Sequence, residues 1–328
     1  MKHVVLVIFL IVFFNIQSFA QHQQIIVHDP VAIESNGKYY MYSTGVGIAS
    51  WISDDFVNWQ FLAQVFKPVP EWGKQKVPKF DGNMWAPDVS FHNGTFYLYY
   101  SVSSFASNLS CIGVATNSTL NPNDEGYQWI DHGAIISSVP NRDHWNAIDP
   151  NLIFDENNVP WLTFGSFWGG MKIVKLNPDL ISLAEPQQWY TLASRERNFE
   201  LDDADPGNAA IEAPFIYKKG EYFFLFVSFD LCCRGELSTY NVRVGRSKSA
   251  VGPYVDKEGI SMLLGGGTLL VKGDENFYGV GHNSVYRFND KDIMFSHAYD
   301  KNDKGKPKLI IHELKWDDQG WPTAIEFE

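Results

Sequence analysis

The chain has 328 residues, 45% hydrophobic and 15% aromatic, with 26 Lys and Arg against 38 Asp and Glu and a formal net charge of −12. This composition supports a large core and excludes a disordered chain, and the acidic excess gives no electrostatic reason to bind nucleic acid or an anionic membrane. The 11 Trp, 15 Tyr and 24 Phe leave rings available for a flat, weakly polar ligand such as a sugar.

In chain order, Lys2 and His3 precede an apolar run from Val4 to Phe14, and Ser18-Phe19-Ala20 supplies small residues at a cleavage site. This reads as a secretory signal peptide over residues 1–20. The run falls short of the roughly 20 residues of a membrane span, so an exported protein, periplasmic or extracellular, is expected. Gln21 rather than Cys follows the cleavage site, which does not indicate a lipid anchor.

Beyond the leader, helical periodicity is nearly absent, and short strand-like runs bounded by Gly, Asn and Asp recur. His28-Asp29-Pro30-Val31-Ala32-Ile33 turns at Asn36-Gly37 into Tyr39-Tyr40-Met41-Tyr42. Trp85-Ala86-Pro87-Asp88-Val89 turns at Asn93-Gly94 into Phe96-Tyr97-Leu98-Tyr99-Tyr100, and Ile148-Asp149-Pro150-Asn151-Leu152-Ile153 leads to Trp161-Leu162-Thr163-Phe164. Glu212-Ala213-Pro214-Phe215-Ile216-Tyr217 leads to Tyr222-Phe223-Phe224-Leu225-Phe226, and His282-Asn283-Ser284-Val285-Tyr286 to Ile293-Met294-Phe295. Aligned on the Pro, with Ser284 in its place in the last copy, the repeats begin at 30, 87, 150, 214 and 284. Repeats of this length predict propeller blades, each of which buries its faces against its neighbours. The expected fold is an all-β, five-bladed β-propeller forming one domain over residues 21–328, and a monomer. A β-sandwich does not predict fivefold recurrence.

Cys111, Cys232 and Cys233 are the only cysteines, too few for a disulfide framework. Two small buried side chains are expected at Cys232-Cys233, with a bridge between them or a pairing with Cys111 as alternatives. Asn93-Gly94-Thr95, Asn108-Leu109-Ser110 and Asn117-Ser118-Thr119 match the short glycosylation pattern.

A propeller brings the start of each blade's first strand to the axis, so Asp29, Asp149 and Glu212 converge from blades far apart in sequence. Asp29 and Asp149 immediately precede their Pro, whereas Glu212 lies one residue earlier, and in a strand that offset redirects the side chain. An asymmetric set of carboxylates suits glycoside hydrolysis, where one carboxyl is protonated and another ionised; inward acids equally suit a bound cation. Trp85 opens the second blade as Glu212 opens the fourth, which makes it the candidate sugar platform. Phe105 and Trp168, just after inner strands, are candidates to line a groove, and Asn151 and Ser166 to bond sugar hydroxyls.

His28-Asp29-Pro30, Trp85-Ala86-Pro87-Asp88, Ile148-Asp149-Pro150 and Ile211-Glu212-Ala213-Pro214, in this order on a fivefold repeat, resemble glycoside hydrolase family 43. Phe229-Asp230-Leu231-Cys232-Cys233-Arg234-Gly235 with Ser238-Thr239-Tyr240-Asn241 and Val244-Gly245-Arg246-Ser247 is similar to its endo-acting arabinanases. The resemblance implies inverting hydrolysis of internal α-1,5-L-arabinofuranosidic bonds of arabinan, with Asp29 as general base, Glu212 as general acid and Asp149 tuning and orienting the acid. Gly279-Val280-Gly281-His282-Asn283 resembles the segment that approaches a calcium ion on the propeller axis, which implies His282 as a ligand, partly through waters. An exo-acting arabinofuranosidase or β-xylosidase of the family and a non-catalytic sugar-binding propeller are the rival readings.

Overall fold

A computed structural model describes residues 25–327; the expected signal peptide lies outside them. The chain is an all-β, five-bladed propeller: five antiparallel sheets follow one another in sequence order, each starting at the axis. The innermost strands are Val31–Ser35, Asn83–His92, Asn151–Phe154, Ile211–Lys219 and Phe277–Phe288. The second strands are Lys38–Ser43, Thr95–Val102, Pro160–Phe164, Tyr222–Phe229 and Lys291–Asp300. A short strand, Gly45–Val46, joins the second sheet, and one short helix, Glu71–Lys76, lies between blades 1 and 2.

The second strands are apolar on consecutive residues because each has a neighbouring blade on both sides. Tyr40 and Tyr42 pack into the cluster between blades 1 and 2, while Tyr39 and Met41 point the other way into the cluster between blades 5 and 1. In blade 4, Phe223, Leu225 and Val227 face blade 3, and Phe224 and Phe226 face blade 5. Period-two alternation thus divides each strand between two cores instead of between core and solvent. Among the described residues one such cluster fills each of the five interfaces.

The ring is closed by the two chain ends. Ile26 bridges to Lys308, and Leu309 N–H donates to the Ile25 carbonyl at 3.1 Å, so the N-terminal segment pairs with the third strand of blade 5, which also carries the C-terminal strand Pro322–Glu326.

Where each blade meets the axis, one residue adopts a left-handed backbone: Asp29 (φ 55°), Ala86 (42°), Asp149 (60°), Ala213 (55°) and His282 (48°). In blades 2, 4 and 5 the register slips there, between Trp85 and Asp88, Glu212 and Phe215, and Gly281 and Ser284. A bulge leaves its extra residues outside the ladder, which is why Pro87 and Pro214 are tolerated. The fifth bulge contains His282 and Asn283, so Asn283 stands in the place of the Pro and the fifth repeat is offset by one residue from the alignment on Ser284. His282 is consequently the structural equivalent of Asp29 and Asp149.

The amide of each left-handed residue is held by a side chain of the preceding blade. Ala86 N–H donates to Thr44 Oγ1 (2.8 Å), Asp149 N–H to Ser101 Oγ (3.0 Å) and His282 N–H to Ser228 Oγ (2.8 Å). Asp29 N–H donates to His297 Nδ1 (3.2 Å), closing the ring. Thr44, Ser101, Ser228 and His297 occupy one position, paired with the residue just before the left-handed one of their own blade. In blade 3 that position is Gly165, whose N–H bonds the Ile148 carbonyl at 2.8 Å. It has no side chain to offer, and Asp149 Oδ2 accepts from Ala213 N–H instead, at 3.1 Å.

One step further along the inner strands runs a second set of contacts. Asp88 accepts from Asn151 Nδ2 (3.1 Å) and Leu152 N–H (2.9 Å), Asn151 Oδ1 accepts from Ile216 N–H (2.9 Å), and Ser284 Oγ donates to the Pro30 carbonyl (2.7 Å). Asn151 therefore links blades 2, 3 and 4 below the axial cavity and is not a sugar contact: its amide is spent on both sides and it is 3% exposed. The glycosylation patterns at Asn108 and Asn117 likewise fall on buried side chains. Replacing Asn151 with Ala strands the Ile216 amide and half of the Asp88 carboxylate, at about 1–3 kcal/mol for each buried group left unpaired. Chemical denaturation of Asn151→Ala is expected to show a stability loss of about 2–6 kcal/mol, with the circular dichroism of the folded state unchanged.

Candidate active site

The five inner strands open into a cavity of about 560 Å³ lined by Asp29, Trp85, Phe105, Asp149, Ser166, Trp168, Glu212 and His282 among others. A larger cleft of about 890 Å³ beside Val271–Asp274 and Leu309–His312 contains none of these axial groups.

The bulge explains the two directions of approach. Asp29, Asp149 and His282 sit on the left-handed residue, while Glu212 and Trp85 sit one residue earlier and pair with Ser228 and Ser101. Glu212 is 8% exposed and Asp149 6%. Asp29 Oδ1 lies 3.0 Å from His282 Nδ1 and 3.5 Å from His297 Nδ1, and its Oδ2 accepts the Thr44 hydroxyl. Glu212 accepts Ser166 Oγ at 2.8 Å and Tyr240 Oη at 2.7 Å. Ser166 thus faces the cavity while holding a carboxylate.

These partners divide the carboxyls electrostatically. Burial alone raises a carboxyl's proton affinity, but at Asp29 it is outweighed by His282, with His297 and His28 adding to the effect, and the group is held well below the usual carboxylate range. Asp149 is pushed up to about 8 by burial, with Glu212 and Asp29 adding to it against the pull of His282. Burial also raises Glu212, against the bonds from Tyr240 and Ser166. Both carboxyls are thus shifted towards their protonated forms, in the opposite direction to Asp29. His282 is pushed up to about 9: burial opposes its charge, and Asp29, Asp149 and Glu212 outweigh that.

The aromatic candidates differ from one another. Trp85 is half-buried at the cavity wall, and Phe105 is 74% exposed at its rim. Trp168 is 2% exposed, with its indole N–H donated to the Asp203 carbonyl at 2.9 Å, and presents only an edge. The glycines of the fifth-blade segment have a packing role: a Cβ on Gly281 would fall 2.1 Å from the Tyr240 ring, and one on Gly279 2.7 Å from the Tyr240 backbone nitrogen. They let Tyr240 pass close enough to reach Glu212. Tyr240, Thr44, His297 and Tyr299 were not selected from the repeat starts because they come from other strands; only their place beside turns of the aromatic strands, or in the Ser-Thr-Tyr-Asn segment, hinted at them.

Cys232 and Cys233 are bonded to each other on the cavity wall, and Cys111 is free and buried. The expectation of two separate thiols is corrected. The loop geometry brings adjacent sulfurs together, with Cys233 at φ 62° and its N–H donated to Tyr299 Oη at 2.7 Å.

Two groups bear on a cation. His28, Asp29 and His297 place ligand atoms within 4.8 Å of one another, but His297 Nδ1 already accepts the Asp29 amide, which removes it as a donor. His282 fits better: Nδ1 faces Asp29, which leaves Nε2 as a donor in a cavity walled by three carboxylates. Calcium takes 6–8 oxygen ligands, so an ion there would draw most of its shell from water.

Several known proteins share this arrangement of the chain. It is 51% identical to the extracellular exo-α-(1→5)-L-arabinofuranosidase ArbA of Cellvibrio japonicus, over 93% of this chain and 88% of that one. It is 41% identical to the extracellular endo-α-(1→5)-L-arabinanase 1 of Bacillus subtilis, over 91% and 87%. The solved structure of Cellvibrio cellulosa α-L-arabinanase complexed with arabinohexaose superposes with a TM-score of 0.91 at 50% identity, covering 92% of this chain and 96% of that one. Residues 24–322 match the family model of the glycosyl hydrolases family 43, and the chain belongs to that family.

Proposed function

We propose that the protein hydrolyses α-1,5-linked L-arabinofuranosyl bonds of arabinan with inversion. The observation that carries this reading is three carboxyls brought into one cavity in different surroundings: Asp29 lies 3.0 Å from His282 Nδ1, which favours its ionised form, while Asp149 and Glu212 are buried, which favours their protonated forms. Asp29 takes a proton from the attacking water, and Glu212 donates one to the leaving oxygen. Asp149 raises the acid's proton affinity and, through the Ala213 amide, fixes the backbone beside it. Trp85 and Phe105 supply faces for sugar rings. The names of the relatives support arabinan as substrate and release from the cell.

The mode of attack has support on two sides. The Phe229–Ser247 segment supports endo cleavage, and the higher identity to the exo-acting Cellvibrio enzyme supports release from chain ends. Sizing of early products from linear arabinan separates them: a ladder of mixed oligosaccharides fits endo attack, and a single short product fits exo attack.

His282 would hold a calcium ion through Nε2 with water completing the shell; binding would displace the Nε2 proton of an imidazole that is otherwise cationic, and the ion would then supply the positive charge beside Asp29. Calcium is then expected to raise the thermal midpoint of the wild type, by the equivalent of about 2.7 kcal/mol at a hundredfold excess over Kd. A chelator reverses the rise, and His282→Ala shows none; an equal rise in that variant would remove His282 as ligand.

Asp29→Asn and Glu212→Gln each lower kcat by about 10²–10⁴-fold with circular dichroism unchanged, and near-normal turnover in either would overturn the assignment. Proton NMR of the first turnover products is expected to show the β-anomer appearing ahead of mutarotation. Initial α-anomer would exclude inversion.

A further inference from the structure

The amide ring has one unusual member. Where blades 1, 2 and 4 present the hydroxyls of Thr44, Ser101 and Ser228, the closing contact to Asp29 comes from the imidazole of His297. A serine would satisfy the amide equally, so closure alone does not account for the ring. His297 is 1% exposed. Because its Nδ1 accepts the Asp29 amide, its proton resides on Nε2, 3.1 Å from the Tyr299 hydroxyl. That oxygen also accepts the Cys233 N–H, and its own proton points at Cys233 Sγ, 3.8 Å away. His297 is therefore tied at both ends, by Asp29 on one side and by the loop of the bonded cysteines, through Tyr299, on the other. Its ring packs 4.4 Å from that of His28, and Nδ1 also lies 3.5 Å from the Asp29 carboxylate.

We propose that His297 is a positioning residue for Asp29, anchored through Tyr299 to the Cys232-Cys233 loop, and that it fixes the carboxylate in the attitude needed to activate water. The inference rests on the reading of Asp29 as general base. The serine hydroxyls at this place in blades 2 and 4 grip the backbone of the next blade; the imidazole, held at its far edge, also restrains rotation of the carboxylate beside it. Misplacement of a reacting group by about 1 Å costs on the order of 10²-fold, which sets the scale of the effect.

The test uses the whole enzyme on linear arabino-oligosaccharide, assayed well below the thermal midpoint. His297→Ser reproduces the contact that blades 2 and 4 use. It is expected to fold, with some loss of thermal stability from the volume removed, to keep KM within about twofold and to lower kcat by about 10–100-fold. Tyr299→Phe keeps the imidazole and the ring closure but removes the anchor, and is expected to lower kcat in the same sense with KM unchanged. Wild-type kcat in His297→Ser overturns the proposal, since a seam contact is then all that is required. Should His297→Ser fail to fold, wild-type kcat in Tyr299→Phe overturns it. Asp29→Asn in parallel keeps the two readings apart: an inactive Asp29→Asn beside a fully active His297→Ser refutes the positioning role alone, and an active Asp29→Asn refutes the base assignment itself.

Discussion

Five non-glycine residues in the left-handed region, each with its amide held from the preceding blade, are the constraint on which the site depends. That conformation costs about 1–2 kcal/mol per residue, and a buried amide without a partner about 1–3 kcal/mol more. Both penalties are tolerable only where the neighbouring blade delivers an acceptor. The ring therefore couples blade docking to the geometry of the axis. The left-handed turn on which Asp29, Asp149 and His282 sit is stable only when the blade before it is in place.

Blade 3 breaks the pattern in an informative way. Gly165 stands where the other blades carry Thr, Ser or His, and Asp149 spends one carboxylate oxygen on the amide of Ala213. That amide directly follows Glu212 in the chain, so Asp149 fixes the backbone from which Glu212 projects. The contact of Asp149 with the backbone beside Glu212 thus takes the place of the one side chain missing from the ring.

The fold was legible because both faces of every second strand are buried, which writes consecutive aromatic and aliphatic residues at each repeat, and because Pro follows the left-handed residue in four of the five blades. Where Pro is absent the register was misread by one: Asn283, not Ser284, fills its place. The three carboxylates and Trp85 were visible from repeat position alone. Asn151 was misassigned because one step along a strand separates the cavity from the layer beneath it, and sequence does not show which neighbour an amide will meet. Tyr240, His297 and Tyr299 reach the site from second and third strands, so no motif at the repeat starts contains them. The cysteine pair was equally opaque, since adjacent thiols in a loop are separate or joined according to a backbone turn that composition does not specify.

Asp29 and Asp149 show how far identity of residue and position falls short of function. They are the same amino acid at the same place in the repeat, with φ of 55° and 60°, yet one is held ionised and the other retains proton affinity up to about 8. The difference arises from what the adjoining blades place beside them. Asp29 lies at the seam, where blade 5 places His282 Nδ1 3.0 Å from its carboxylate, and the positive charge of that imidazole offsets burial. Asp149 has Ser101 behind its amide, the Ala213 N–H as its own direct donor, and the carboxyls of Glu212 and Asp29 as charged neighbours. Neutral donors offset less of the burial penalty than a cationic ring does, and the nearby carboxylates add to that penalty. A fivefold frame thus gives two equivalent aspartates opposite proton affinities without any difference in their backbone, by varying only the side chains that one blade presents to the next.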